Sequence, residues 1–116
     1  MVIPTSGLNH IHLNVADLQR SLLFYQRVFG ATEAFRVGDK MVFLQLPGTE
    51  DVITLHEVGG SVAVEHFGLL RDKGVDLDVA IGEIEAAGGR LVERGEHAPG
   101  VAYAYVADPD GYTIEL

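Results

Sequence analysis

Five histidines and one glutamate near the end of the sequence carry the metal chemistry open to this chain of 116 residues. There is no cysteine. Thiolate ligation, disulfides and iron–sulfur clusters are therefore excluded, and imidazole and carboxylate remain as donors. That pair of donors accepts iron, manganese, nickel, cobalt or zinc. His10 lies in Leu8-Asn9-His10-Ile11, and His66 lies in the matching setting Val64-Glu65-His66-Phe67, 56 residues later. Thr54 lies in Ile53-Thr54-Leu55, and Glu115 lies in Ile114-Glu115-Leu116, 61 residues later. Between them Asp17-Leu18 and Gly30 recur as Asp76-Leu77 and Gly89 at an offset of 59. The shared order marks an internal repeat, and the growing offset fits longer loops in the second copy.

Paired repeats bring equivalent residues together about a pseudo-twofold axis. His10 then meets His66, and Thr54 meets Glu115. Two imidazoles and one carboxylate make a 2-His-1-carboxylate set, so His10, His66 and Glu115 are the expected ligands of a divalent metal ion. Thr54 is a poor ligand, and its corner leaves open positions for water or substrate, as a catalytic metal needs. His12 follows His10 by two residues, and His56 follows Thr54 by two. Each shares a strand face with its predecessor. Both are expected to line the same wet cavity and to move protons there, a task suited to the near-neutral pKa of imidazole. His97, between Glu96 and Ala98-Pro99-Gly100, reads as a loop residue.

Several elements must position these groups. Residues 8–15 alternate, with Ile11, Leu13 and Val15 on one face and His10, His12 and Asn14 on the other, as in a half-buried strand. Asp17 is a suitable N-cap for a helix reaching about Phe29. Leu18, Leu22, Tyr25 and Phe29 form its apolar stripe, and Phe24, Tyr25 and Phe29 are expected in the core. Gly30 ends that helix. Strands follow at 32–37, 41–46 and 52–58. The second half repeats the order: a strand at 65–70, a helix at 77–87 with Leu77, Ile81 and Ile84 inward, and strands at 90–94, 101–107 and 112–116. Asp108-Pro109-Asp110-Gly111 reads as a type I turn closing the last hairpin. Tyr103 and Tyr105 share a strand face, where they either line the cavity or, as aromatics at period two usually do, pack. The reading is one α+β domain over residues 1–116, built of two βαβββ modules at about 7–58 and 62–116.

The bulk composition narrows the partners. A chain that is 47% hydrophobic and 22% charged has the makings of a packed core. Its net charge of −9 opposes nucleic-acid or anionic-membrane partners, which need a basic face. No run reaches the length of a membrane span, and residues 1–6 lack the pattern of a signal peptide. With the absent cysteines, this gives a cytoplasmic expectation.

The sequence resembles the vicinal oxygen chelate superfamily, which includes glyoxalase I, extradiol dioxygenases, fosfomycin-resistance transferases, methylmalonyl-CoA epimerase and bleomycin-resistance proteins. The likeness is carried by Leu8-Asn9-His10-Ile11-His12-Leu13, by Asp17-Leu18 with Ser21, Phe24-Tyr25 and Phe29-Gly30, by His66, and by Asp108-Pro109-Asp110-Gly111-Tyr112-Thr113-Ile114-Glu115-Leu116. The resemblance implies modules curling into a cup-shaped, partly open mixed β-barrel with helices outside. It also implies His10, His66 and Glu115 as ligands, and a homodimer.

The chain departs from individual branches at specific positions. Glyoxalase I carries a second glutamate where Thr54 stands, so that activity needs another base, His56 or Glu57, and Glu57 has the wrong strand parity. Fosfomycin transferases carry a threonine where this chain has His12, and no Lys/Arg cluster lies near the last two strands. Extradiol dioxygenases pair the same triad with a non-ligand histidine. Bleomycin binders have an acidic cleft without the triad. The expected function is a metal-dependent enzyme, dioxygenase-like or lyase/isomerase-like, that binds a small substrate through vicinal oxygens. The alternatives are a ligand-sequestering protein of the bleomycin-resistance type and a thiol transferase of the fosfomycin type.

Overall fold

Alternation of apolar and polar residues sets the strands, and the computed structural model, which describes residues 2–116, shows where each begins and ends. The described residues form eight strands and two helices. In chain order these are β1 (Thr5–Val15), α1 (Leu18–Phe29), β2 (Thr32–Val37), β3 (Met41–Gln45), β4 (Val52–Glu57), β5 (Ala63–Arg71), α2 (Leu77–Ala86), β6 (Arg90–Ala98), β7 (Val101–Ala107) and β8 (Thr113–Glu115). Strand pairing is mixed, parallel for β1 with β4 and for β5 with β8, antiparallel elsewhere. The fold is α+β, and it is not a closed barrel: β2 and β6 each have a neighbour on one side only. No helix among the described residues is long and apolar enough to cross a membrane.

The chain divides into two compact units, Asn9–Glu65 and residues 2–8 with 66–116. In the first, the strand order is β2-β3-β4-β1. Its core comprises Val15, Leu18, Leu22, Ala31, Val42, Leu44 and Leu55, with Leu13, Tyr25, Leu46 and Ile53 packed against it. Complete burial of one such leucine favours folding by about 1.5–3 kcal/mol. These residues occupy odd positions on β1 and β4 and even positions on β3, so one sheet face packs on α1. The other face carries His10, His12 and Asn14 beside Val52, Thr54 and His56. Asp17 caps α1 by accepting from Arg20 N–H at 2.9 Å. Gly30 ends the helix in the left-handed conformation, φ 70°, where a side chain would be strained.

One expectation for this unit fails. Phe24 and Phe29 are not core residues; they are 52% and 55% exposed. They lie on the last turns of α1 and pack on each other and on Tyr25, with ring centroids 5.3 to 6.2 Å apart. The buried stripe contains Leu18 and Leu22, with Tyr25 half-buried at its edge.

The second unit has the start of β1, then β5, β8, β7 and β6. Leu77 and Ile81 of α2 bury themselves against Ala104 and Val106, with Ile84, Ile114 and Leu116 around them. Asp76 caps α2 through Val79 N–H at 3.0 Å. The Asp108–Gly111 turn forms as expected, with Gly111 N–H donating to Asp108 C=O at 2.9 Å. β1 begins three residues before its alternation does. Asp72 N–H donates to Pro4 C=O at 3.0 Å, and Ser6 Oγ donates to Asp72 Oδ1 at 2.6 Å. Contacts distant in sequence therefore hold this part of the strand.

Candidate metal centre

The repeat is visible in the pairing register. Ile11 pairs with Ile53 and His12 with Thr54 across β1 and β4. Phe67 pairs with Ile114 and Gly68 with Glu115 across β5 and β8. These are the same rungs of two equivalent ladders, so Thr54 and Glu115 hold matching places, as do His12 and Gly68. The antiparallel neighbours match too: Phe43 stands beside Thr54, and Tyr105 beside Glu115.

In the second unit the structure brings two of the expected ligands together. His66 is 4% exposed, and its Nε2 lies 3.1 Å from Glu115 Oε1. Metal–ligand bonds to imidazole and carboxylate run about 2.0–2.2 Å. Two such bonds at roughly 90–110° put their donor atoms about 3 Å apart, so this separation fits one edge of a coordination shell. The His66 and Tyr105 rings meet in a T-shaped arrangement, centroids 4.9 Å apart. The second oxygen of Glu115 has a different partner: His97 Nε2 lies 2.7 Å from Oε2. His97 stacks on Tyr103 at 4.1 Å with planes 16° apart. Tyr103 in turn lies across the bare backbone of Gly95, where an added Cβ would stand 3.0 Å from its hydroxyl.

His97 is the residue that sequence reading misses. It sits on β6 and not in a loop. Register shifts at Leu91/Glu93 and Glu96/Ala98 break the alternation that would have revealed it. The tyrosines were the available signal, because Tyr103 and Tyr105 share a face with Glu115 and each touches a histidine.

In the first unit His10 lies half-buried on β1. Its Nδ1 donates to Asn9 Oδ1 at 2.7 Å, which leaves the lone pair on Nε2, as in histidines oriented for metal binding. His12 and His56 lie side by side on neighbouring strands. His12 Nε2 and His56 Nδ1 share a hydrogen bond of 3.3 Å, and their rings meet edge to face at 5.4 Å. Thr54 is fully buried, and its Oγ1 has no hydrogen-bond partner among the described residues; the same holds for Asn14 Oδ1. Glu57 faces the helix side, as its parity requires: its Oε1 accepts from Leu18 N–H at 2.9 Å and its Oε2 pairs with Lys40. The Lys40 ammonium and the Leu18 N–H together hold the Glu57 carboxyl below the usual carboxylate range. Glu57 is thus a helix-capping group and is withdrawn from the histidine face.

Comparison with known proteins gives the family. The family model described as Glyoxalase/Bleomycin resistance protein/Dioxygenase superfamily matches residues 7–116. The chain belongs to this superfamily. It is 28% identical to a metallothiol transferase, FosB, of Lysinibacillus sphaericus, over 98% of this chain and 83% of the relative. It is 31% identical to a trivalent organoarsenical cleaving enzyme of a Bacillus species, over 92% of this chain and 70% of the relative. The fold matches a Mn(II)-bound glyoxalase of Novosphingobium aromaticivorans with a TM-score of 0.79 at 21% identity, over 96% of this chain and 37% of that one.

Proposed function

We propose that this superfamily member is a metal-dependent enzyme that takes a small substrate through two neighbouring oxygens, with His10, His66 and Glu115 holding a divalent cation. The carrying observation is the His66–Glu115 edge of 3.1 Å at a buried imidazole. A Mn(II) ion is what the structurally similar glyoxalase holds. Bound there, such a cation supplies Lewis acidity to the oxygens that ligate it. The chain's own residues do the rest. Asn9 orients the His10 ring, and His97 occupies the second oxygen of Glu115, which favours ligation through Oε1 alone. His12 and His56 form a linked pair in which one ring receives a proton as the other's hydrogen bond adjusts, the behaviour required of an acid–base group.

The reaction falls in the dioxygenase or lyase/isomerase class. Arsenical cleavage does not transfer readily from the relative, because this chain offers no thiolate for a soft arsenic centre. A cytoplasmic homodimer completes the proposal; sedimentation of the purified chain checks the dimer. The decisive experiment is elemental analysis of the protein as purified. One equivalent of metal is expected in the wild type, with affinity reduced more than about a hundredfold in His10→Ala and Glu115→Ala. A metal-free wild type would leave a ligand-sequestering protein instead. With metal present, oxygen uptake on catechol is measured against isomerisation of the methylglyoxal–glutathione adduct to separate the two reaction types.

A further inference from the structure

The repeat lets one half serve as a template for the other. Leu44 pairs with Ile53 as Val106 pairs with Ile114, so Leu46 is the counterpart of Asp108 two residues further on. The matched helices make Tyr25, Val28 and Phe29 the counterparts of Ile84, Ala87 and Gly88. In the first unit Tyr25 and Leu46 pack against the core, and Leu55 is fully buried. In the second unit all four exchanges remove apolar bulk. Leu116, the counterpart of Leu55, is only half-buried. Gly88 adopts φ 98°, where a side chain is strained, so the space is not readily refilled from that position.

The missing bulk coincides with a hollow of about 300 Å³ between the end of α2 and strands β5, β7 and β8. Ile3, Leu69, Ile84, Ile114 and Leu116 line it, and every lining residue belongs to the second unit. No lysine, arginine or histidine is among its walls. Asp108 is, and its Oδ1 already accepts from the Asp110 and Tyr112 N–H groups at 2.9 Å. An apolar cavity of about 150 Å³ suffices for benzene, so a hollow twice that size has room for a compact body of one or two rings' bulk. A charged ligand would give up hydration there without finding a counter-ion, and an anion would also meet the Asp108 carboxylate. The hollow lies on the helix side of its strands, where Ile114 and Leu116 pack with Val106. Glu115 and its rung partner Tyr105 alternate with these residues and belong to the other face.

We infer that this hollow is a binding site for a neutral, compact hydrocarbon body, separate from the candidate metal centre. The inference does not rest on the metal-enzyme reading. The full chain, labelled with 13C at the isoleucine δ1-methyl groups, is titrated with 2-adamantanone, a neutral cage, and with adamantane-1-carboxylate. Ile3, Ile84 and Ile114 line the hollow, whereas Ile11 and Ile53 belong to the other unit and serve as references. The first three signals are expected to shift saturably with the ketone, and the references to stay. The carboxylate should bind at least about tenfold more weakly. Chelator treatment should change neither result. Ile84→Phe restores a ring where the first unit has Tyr25, and Ala87→Phe adds one at the exposed rim. Each should weaken the ketone about tenfold or more, with unmoved Ile11 and Ile53 signals showing that the fold is kept. No shift at the three lining methyls, equal affinity for the carboxylate, or undiminished binding in both variants would overturn the inference. So would lining signals that move on dilution alone, which would give the hollow to a second copy of the chain.

Discussion

Glu115 divides its two oxygens between two histidines, His66 at 3.1 Å and His97 at 2.7 Å. The first partner was legible in sequence because it belongs to the repeat. The second was not, because nothing in the first half corresponds to it. A carboxylate whose distal oxygen is held is hindered from a two-oxygen grip, so under the proposed metal reading His97 would act on a cation through Glu115. His97→Phe preserves the stack on Tyr103 and removes the hydrogen bond. It should weaken metal affinity about tenfold to a hundredfold without abolishing it, the range seen for residues that orient a ligand. Competition with a chromophoric chelator measures this, and unchanged affinity would show that Glu115 positions itself.

Most elements were readable from residue type alone. The starts of both helices were set by Asp17 and Asp76, whose side chains accept the N–H bonds expected of them. Asp17→Ala should therefore cost about 1 kcal/mol in denaturant unfolding. What escaped reading has physical causes. β6 runs four residues beyond its expected end at Arg94, because two register shifts hide its periodicity. Phe24 and Phe29 fit a helical stripe, yet periodicity tells which way a side chain faces and not whether anything stands there to cover it. Glu57 shows the reverse, a residue correctly excluded from the histidine face by parity alone. Its carboxyl is lowered first by Lys40 and then by the Leu18 N–H at the start of α1. A depressed carboxylate stabilises the folded chain above its unfolded pKa, and that stabilisation disappears as pH falls through the folded value. Wild type should thus melt above Glu57→Gln at pH 7, and the difference should close as the pH falls below the usual carboxylate range. A gap that persists undiminished at pH 2.5 would refute the assignment.

For the whole molecule, 17 acidic against 8 basic residues give a net charge of −9 and a pI near 4.8. Solubility should pass through a minimum near that pH and recover on either side, which turbidity against pH would reveal. The deeper property of the whole is its doubled backbone. The β1–β4 and β5–β8 ladders share one register at the rungs they have in common, so there the halves differ through side chains. Three exchanged pairs hold much of that divergence: His12 against Gly68, Thr54 against Glu115, and Phe43 against Tyr105. At these rungs, then, the two halves are told apart by the functional groups that one shared register presents.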